Sequence, residues 1–202
     1  MGPDAYNGGV MQYRIGIDEV GRGPLAGPVA VCAFAIPQKN EALLAGIRDS
    51  KKMTAKEREE WVSALALLKE RGEATWHVSF VGPQQIDKNG IVPSIRLALG
   101  RSLKKINCNP KECAVYLDGG LYAPVQYKNQ ETIIRGEDRE VVIASASVIA
   151  KVARDRKMVR LAKQYPEYGF ERHKGYGTKA HREAIEQYGL CAMHRKSFCH
   201  FD

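Results

Sequence analysis

Nowhere in its 202 residues does the chain hold an apolar run near the ~18 residues of a membrane span, and its N-terminus lacks the apolar core of a signal peptide. A cytoplasmic protein with reduced thiols is expected. The five cysteines are odd in number and have no paired short spacing, so a disulfide framework is not implied. Cys32 lies in an apolar run and reads as a core residue. Cys191, His194, Cys199 and His200 cluster near the C-terminus without zinc-finger spacing. Internal repeats, low-complexity tracts and linkers are also missing. Acid is scarce relative to base: 31 Lys and Arg against 23 Asp and Glu leave a net charge of +8. Such a balance suits either a solvated basic surface or a polyanionic partner, nucleic acid being the commonest.

What is present is a chain of apolar strands alternating with amphipathic helices. Residues 1–12 are polar and Gly-rich, a flexible lead-in. Strands are expected at about 13–18, 28–36, 75–81, 113–118 and 131–135. A capping box, Thr54 with Glu57, opens a helix with Trp61, Val62, Leu65 and Leu68 on one face, and Gly72 stops it. Pro93 suits the first position of a second helix, whose buried stripe is Ile95, Leu99, Leu103 and Ile106. A long helix spans about 141–164, and a last one runs from Thr178 to Tyr188 before Gly189. The alternation predicts an α/β domain with the later helices on or beside the sheet.

Chemistry concentrates at strand ends. Asp18 and Glu19 follow the apolar run Ile15–Ile17, and Asp118 follows another. The pair Glu137-Asp138 comes soon after the strand expected to end at Arg135. Strand ends of an open α/β sheet converge on one edge. Carboxylates gathered there would repel by about 4 kcal/mol per pair at roughly 4 Å and an effective dielectric near 20, so divalent cations would make sense of them. Oxygen-only donors favour Mg2+ or Mn2+. The competing reading makes each acid a surface turn residue, above all Asp118 before Gly119-Gly120. Glycines around Arg22 (Gly21, Gly23) let backbone approach a ligand, and the arginine suits phosphate.

Asp155 shares a heptad stripe with Val148, Val152, Val159 and Ala162, where an internal ion pair with flanking arginines is the favoured reading over a catalytic one. The six basic residues between Lys151 and Lys163 read as a solvated face. Tyr176, between glycines and beside His173-Lys174, could stack on a sugar or base, or could simply pack on the sheet edge.

Taken together and in order, Ile-Gly-Ile-Asp18-Glu19-Val-Gly-Arg-Gly-Pro, Asp49-Ser-Lys-Lys52, Tyr-Leu-Asp118-Gly, Ala-Ser-Ala-Ser-Val-Ile-Ala-Lys-Val-Ala-Arg-Asp155, His-Lys-Gly-Tyr176-Gly-Thr and His194-Arg-Lys-Ser-Phe198 resemble the ribonuclease HII (type 2 ribonuclease H) family from about residue 13 to 198. The resemblance implies a ribonuclease H-like fold, a mixed five-stranded sheet flanked by helices with a helical C-terminal part, as one catalytic domain over 13–202.

It further implies an endoribonuclease that cleaves the RNA strand of RNA–DNA hybrids and single ribonucleotides embedded in duplex DNA. The cut falls on the 5′ side of the ribonucleotide and leaves a 3′-hydroxyl and a 5′-phosphate, by a mechanism using two Mg2+ or Mn2+ ions. Asp18, Glu19 and Asp118 match three of the family's four metal-binding carboxylates. At the fourth, the family's Lys-Gly-Asp is here Arg135-Gly136-Glu137-Asp138. Gap-free counting puts Glu137 on the aspartate, with Asp138 as the alternative, and Asp155 matches no ligand. A non-catalytic nucleic-acid-binding domain on the same fold is the rival reading.

Gly21, Arg22 and Gly23 match the loop that recognises the ribose 2′-hydroxyl through its backbone, Tyr176 the tyrosine opposite it, and Lys51 a phosphate-contacting lysine. A monomer is expected. The chain stops soon after Phe198, short of the longer tail of some members, which implies lower substrate affinity.

Overall fold

The computed structural model describes residues 12–200. Residues 1–11, most of the expected lead-in, lie outside them. Gln12 is already paired: its N–H donates to the Glu112 carbonyl, and its own carbonyl accepts from Gln38.

Five strands form one sheet. Strand β1 (Tyr13–Val20) pairs antiparallel with β2 (Val29–Pro37), and β2 pairs antiparallel with β3 (Thr75–Val81). On the other side of β1, β4 (Cys113–Asp118) and β5 (Gln130–Ile133) add in parallel, giving the order β3-β2-β1-β4-β5. The C-terminal ends of β1, β4 and β5 therefore open on the same edge. β1 is two residues longer than expected. Its ladder to β2 runs to Val20↔Ala30 while its ladder to β4 stops at Ile17↔Leu117. Asp18 and Glu19 thus sit where β1 and β4 part.

Helix α1 (Ala55–Glu70) begins at Thr54 with both halves of the capping box formed, and its Leu65 is buried. A short α2 (Pro83–Asn89), not anticipated, precedes α3 (Ile91–Ile106). α3 starts two residues before Pro93. Proline is tolerated there because first-turn N–H groups have no intrahelical acceptor. β5 stops short of Arg135, whose left-handed backbone (φ 55°) turns the chain into the 3-10 turn Gly136–Asp138. The long α4 (Val141–Gln164) follows, then α5 (Phe170–His173) and α6 (Lys179–Tyr188).

α3 covers one face of the sheet, packing Ile95 and Leu99 against Ile15, Ile17 and Val31. α1 and α4 cover the other, with Val142 and Ala146 against Cys32 and Phe34. α4 rides directly on β1: a Cβ on Gly16 would lie 1.9 Å from the Val142 carbonyl oxygen. A third cluster, including Met158, Tyr168, Phe170 and Ile185, fastens the end of α4, α5 and α6 to Leu25 and Ala26 in the loop after β1. The helical C-terminal part is a clamp on that loop.

The expected stripe of α4 is corrected here. Val159 is 40% exposed, and Asp155 pairs at 2.9 Å with Lys151, one turn earlier, instead of with Arg154 or Arg156. Val148, Val152 and Ala162 are buried as expected, and Arg154 and Met158 join them in place of Asp155 and Val159. A seven-residue spacing drifts by about 20° per heptad on a straight helix, and this half of α4 packs on the loop after β1. Nor is the basic face wholly solvated, since Arg154 is fully buried.

Candidate active site

The acids expected at strand ends do converge. Asp18 and Glu137 are buried, while Glu19 and Asp118 are partly covered. Asp118 accepts from the Gly136 N–H at 2.8 Å, which ties β4 to the turn carrying Glu137. Asp18 accepts from the Glu19 N–H at 2.8 Å. Burial first, then the charges of Glu19, Asp118 and Glu137, push the Asp18 carboxyl up to about 8, partly offset by the Ser147 hydroxyl. Burial also raises Glu19 and Asp118. Glu137 is the exception: burial would raise it, but the Lys51 ammonium 2.7 Å away holds it below the usual carboxylate range. Asp138 turns outward to Lys52 and is about one-third exposed.

One oxygen of Glu19 and one of Glu137 are buried with no hydrogen-bond partner. Buried carboxylate oxygens left in this state are costly unless a cation meets them. Among the described residues no three such side chains are already drawn together at metal-ligating distances. The donor set, all carboxylate oxygen, nevertheless fits a hard divalent ion.

Beside the acids, Gly21-Arg22-Gly23 leaves the end of β1. Arg22 stands 57% exposed and reaches Glu19 at 3.5 Å. Beneath the loop lie two fully buried arginines with no carboxylate partner within ion-pair distance among the described residues. Arg195 donates to the carbonyls of Gly21 (2.6 Å), Arg22 (2.9 Å) and Gly27 (3.0 Å). Arg154 donates to those of Pro28 (2.9 Å), Lys174 (3.0 Å) and Ala26 (3.3 Å). Carbonyl oxygens thus stand where a counter-ion would. Gly21, at φ 86°, must be glycine, because a Cβ there would fall 2.1 Å from Arg154 Nε. Tyr176 is 43% exposed, its ring 5.9 Å from the Arg154 guanidinium. Its backbone is tied to the C-terminal clamp, so the packed-edge reading gives way to a presented side chain.

A profile of the Ribonuclease HII family matches residues 15–201. The chain belongs to the ribonuclease HII family. Curated relatives agree. Ribonuclease HII of Chlorobaculum parvum is 43% identical over 91% of this chain and 87% of its own, and that of Neisseria meningitidis is 38% identical over 91% and 90%. Among solved structures, ribonuclease H2 of Pyrococcus horikoshii superposes with a TM-score of 0.70 at 25% identity, covering 92% of this chain and 93% of that one. Archaeoglobus fulgidus RNase HII, from a complex with PCNA, superposes at 0.71 and 23% identity over 94% and 96%, a likeness of fold. Family membership makes the chain a metal-dependent ribonuclease, and the mixed five-stranded sheet with its helices is the expected architecture.

Sequence reasoning for this ribonuclease HII missed Arg154, Arg195 and His181. Both arginines stand inside motifs that carry the family resemblance, and Arg154 was read with the basic face of its helix, but no local pattern marks either as buried. His194, set beside cysteines as a weak zinc possibility, instead hydrogen-bonds His181 at 3.1 Å.

The raised Asp18 carboxyl has a measurable consequence. Its folded pKa, about 8, lies above the unfolded value of 3.8, so ionising it opposes folding. The cost is absent below the lower value, grows between the two and levels off above the higher. In EDTA, Asp18→Asn is therefore expected to gain thermal stability relative to the parent between about pH 5 and pH 8. Taking the difference cancels the histidines, whose depressed pKa values act with the opposite sign. A pH-independent difference would show that the carboxyl is not perturbed.

Proposed function

We propose that this ribonuclease HII is an endonuclease acting on the RNA strand of RNA–DNA hybrids and on single ribonucleotides in duplex DNA. Cleavage falls 5′ to the ribonucleotide and leaves a 3′-hydroxyl and a 5′-phosphate, serving ribonucleotide removal in DNA replication and repair. Residues 13–202 act as one catalytic unit, as a monomer in the cytoplasm. Among the described residues no helix is long and apolar enough to cross a membrane.

One observation carries this reading: a carboxylate cluster with two orphaned buried oxygens lies directly beside a glycine–arginine loop whose carbonyls are pinned inward, with Tyr176 over one of the arginines buried beneath that loop. In this reading Asp18, Glu19, Asp118 and Glu137 would hold two Mg2+ or Mn2+ ions. When bound, the ions supply Lewis acidity for activating water and for stabilising the leaving 3′-oxygen. The chain's own groups do the rest. Gly21, Arg22 and Gly23 present backbone N–H groups to the 2′-hydroxyl, the one group that distinguishes RNA from DNA there. Tyr176 bounds the same ribose from the opposite side. Lys51, 76% exposed and paired with Glu137, would meet the scissile phosphate. The net charge of +8 draws in the duplex.

The test is a labelled DNA duplex with a single ribonucleotide, incubated with Mg2+ or Mn2+. One cut, 5′ to the ribonucleotide, is expected. An intact duplex after incubation with folded protein would sink the proposal, and equal cutting of an all-DNA duplex would make the protein a nuclease without ribose selection.

A further inference from the structure

The loop after β1 and the loop before α6 come from distant parts of the chain, yet both must address one ribose. They are joined directly: the Leu25 and Ala26 N–H groups donate to the Gly175 carbonyl at 2.9 and 3.2 Å. They are also joined through two consecutive residues near the C-terminus, His194 and Arg195, 2% and 0% exposed.

Arg195 serves the first loop. Its guanidinium takes the Gly21 and Arg22 carbonyls from beneath, and its own N–H donates to the Leu25 carbonyl at 2.8 Å. In a planar trans peptide, C=O and the next N–H point in opposite directions. Drawing the Gly21 and Arg22 carbonyls inward therefore turns the Arg22 and Gly23 N–H groups outward.

His194 serves the second loop, and backbone partners settle its tautomer. His194 Nδ1 accepts from the Cys191 N–H at 3.0 Å, so in the neutral ring the proton is on Nε2. His181 Nδ1 faces the Tyr176 carbonyl at 2.9 Å and must donate to it, which leaves His181 Nε2 as an acceptor. The Nε2···Nε2 contact of 3.1 Å then has one direction, His194 donating and His181 accepting. Burial holds both imidazoles below their usual pKa, His181 at about 4, in keeping with neutral rings. The chain of bonds runs Cys191 N–H, His194, His181, Tyr176 carbonyl. The neighbouring His173 ring, stacked 4.4 Å from His181, accepts from the Gly175 N–H at 3.2 Å and holds the same loop.

We infer that His194 and Arg195 are positioning residues which together set the two sides of the ribose reader in register. Arg195 orients the Arg22 and Gly23 amides, and His194, through His181, fixes the peptide carrying Tyr176. Neither needs to touch substrate. Adjacency along the chain makes the distance between the two sides a covalent one. The inference rests on the function proposed above.

The experiment compares the binding of wild type, Arg195→Lys, His194→Leu and His194→Gln to two duplexes in EDTA. One duplex carries a single ribonucleotide and the other is all DNA of the same sequence. Amide chemical shifts, thermal unfolding and Mn2+ affinity are measured alongside. Lysine keeps the charge but offers one ammonium to three carbonyls. Arg195→Lys is expected to lower the ribonucleotide-over-DNA preference about tenfold and to move the Arg22 and Gly23 amide resonances, with Mn2+ affinity unchanged. His194→Leu is expected to lower the preference as well while moving the Tyr176 and Gly177 amides. His194→Gln, which keeps an N–H donor facing His181, is expected to recover most of the preference.

Folded Arg195→Lys with full preference and unmoved amides would overturn the inference. So would Mn2+ affinity falling in step with the preference, which would mark general loosening. Wild type that binds both duplexes equally would overturn the proposed function and this inference together; a wild-type preference that the variants keep would overturn this inference alone.

Discussion

Glu137→Gln should lower kcat/KM on the single-ribonucleotide duplex at saturating Mn2+ by at least about a hundredfold, about 2.7 kcal/mol of transition-state stabilisation. Asp138→Asn should leave it within about threefold. The difference follows from where the two neighbours point. Glu137 is 7% exposed, hydrogen-bonded to Lys51, close enough to raise Asp18 and Asp118 by its charge, and carries an orphaned buried oxygen. Asp138 faces solvent and Lys52. Glutamine keeps the shape of Glu137 and removes the charge, so a folded variant isolates the electrostatics. An Asp138→Asn loss larger than the Glu137→Gln loss would move the fourth carboxylate to Asp138.

The second large effect is one of stability. Gly16→Ala should destabilise the fold by about 3 kcal/mol, measured by urea unfolding in EDTA. The added methyl would meet Val142 backbone at 1.9 and 2.1 Å and the Ile143 nitrogen at 2.5 Å. A side chain could rotate away, but the backbone of α4 cannot without lifting the helix off β1. That movement would also carry Ser147 away from Asp18, so Mn2+ affinity should fall with stability. A loss under about 1 kcal/mol would show that α4 can slide on the sheet without penalty.

Both predictions turn on a comparison between short-range pattern and long-range contact. The α3 stripe Ile95, Leu99, Leu103 and Ile106 is buried as its spacing predicts, and the Thr54–Glu57 capping box forms, because each depends on residues within a turn or two. The strand-end acids were legible for a similar reason: an apolar run ending in a carboxylate is a local signal. The stripe of α4 was legible only in part: Val148, Val152 and Ala162 are buried, but Val159 is not. Its inward face past Lys151 is chosen by a loop more than a hundred residues earlier in the chain, which is why Arg154 is buried and Val159 is not. Buried arginines satisfied by carbonyls leave no trace in composition, since the carbonyls that cradle them belong to every residue type.

By itself the sequence determined the five strands and the four longer helices, the carboxylates at strand ends and the glycines of the β1 loop, since periodicity, capping and strand termination are written in neighbouring residues. Only the tertiary structure decided which acid of Glu137-Asp138 turns inward, and it decided that Arg154 and Arg195 replace counter-ions with carbonyls. It also showed that His194 reaches Tyr176 through His181. Each of these is a matter of desolvation and direction, set by groups far away in the chain and only a few ångströms away in space.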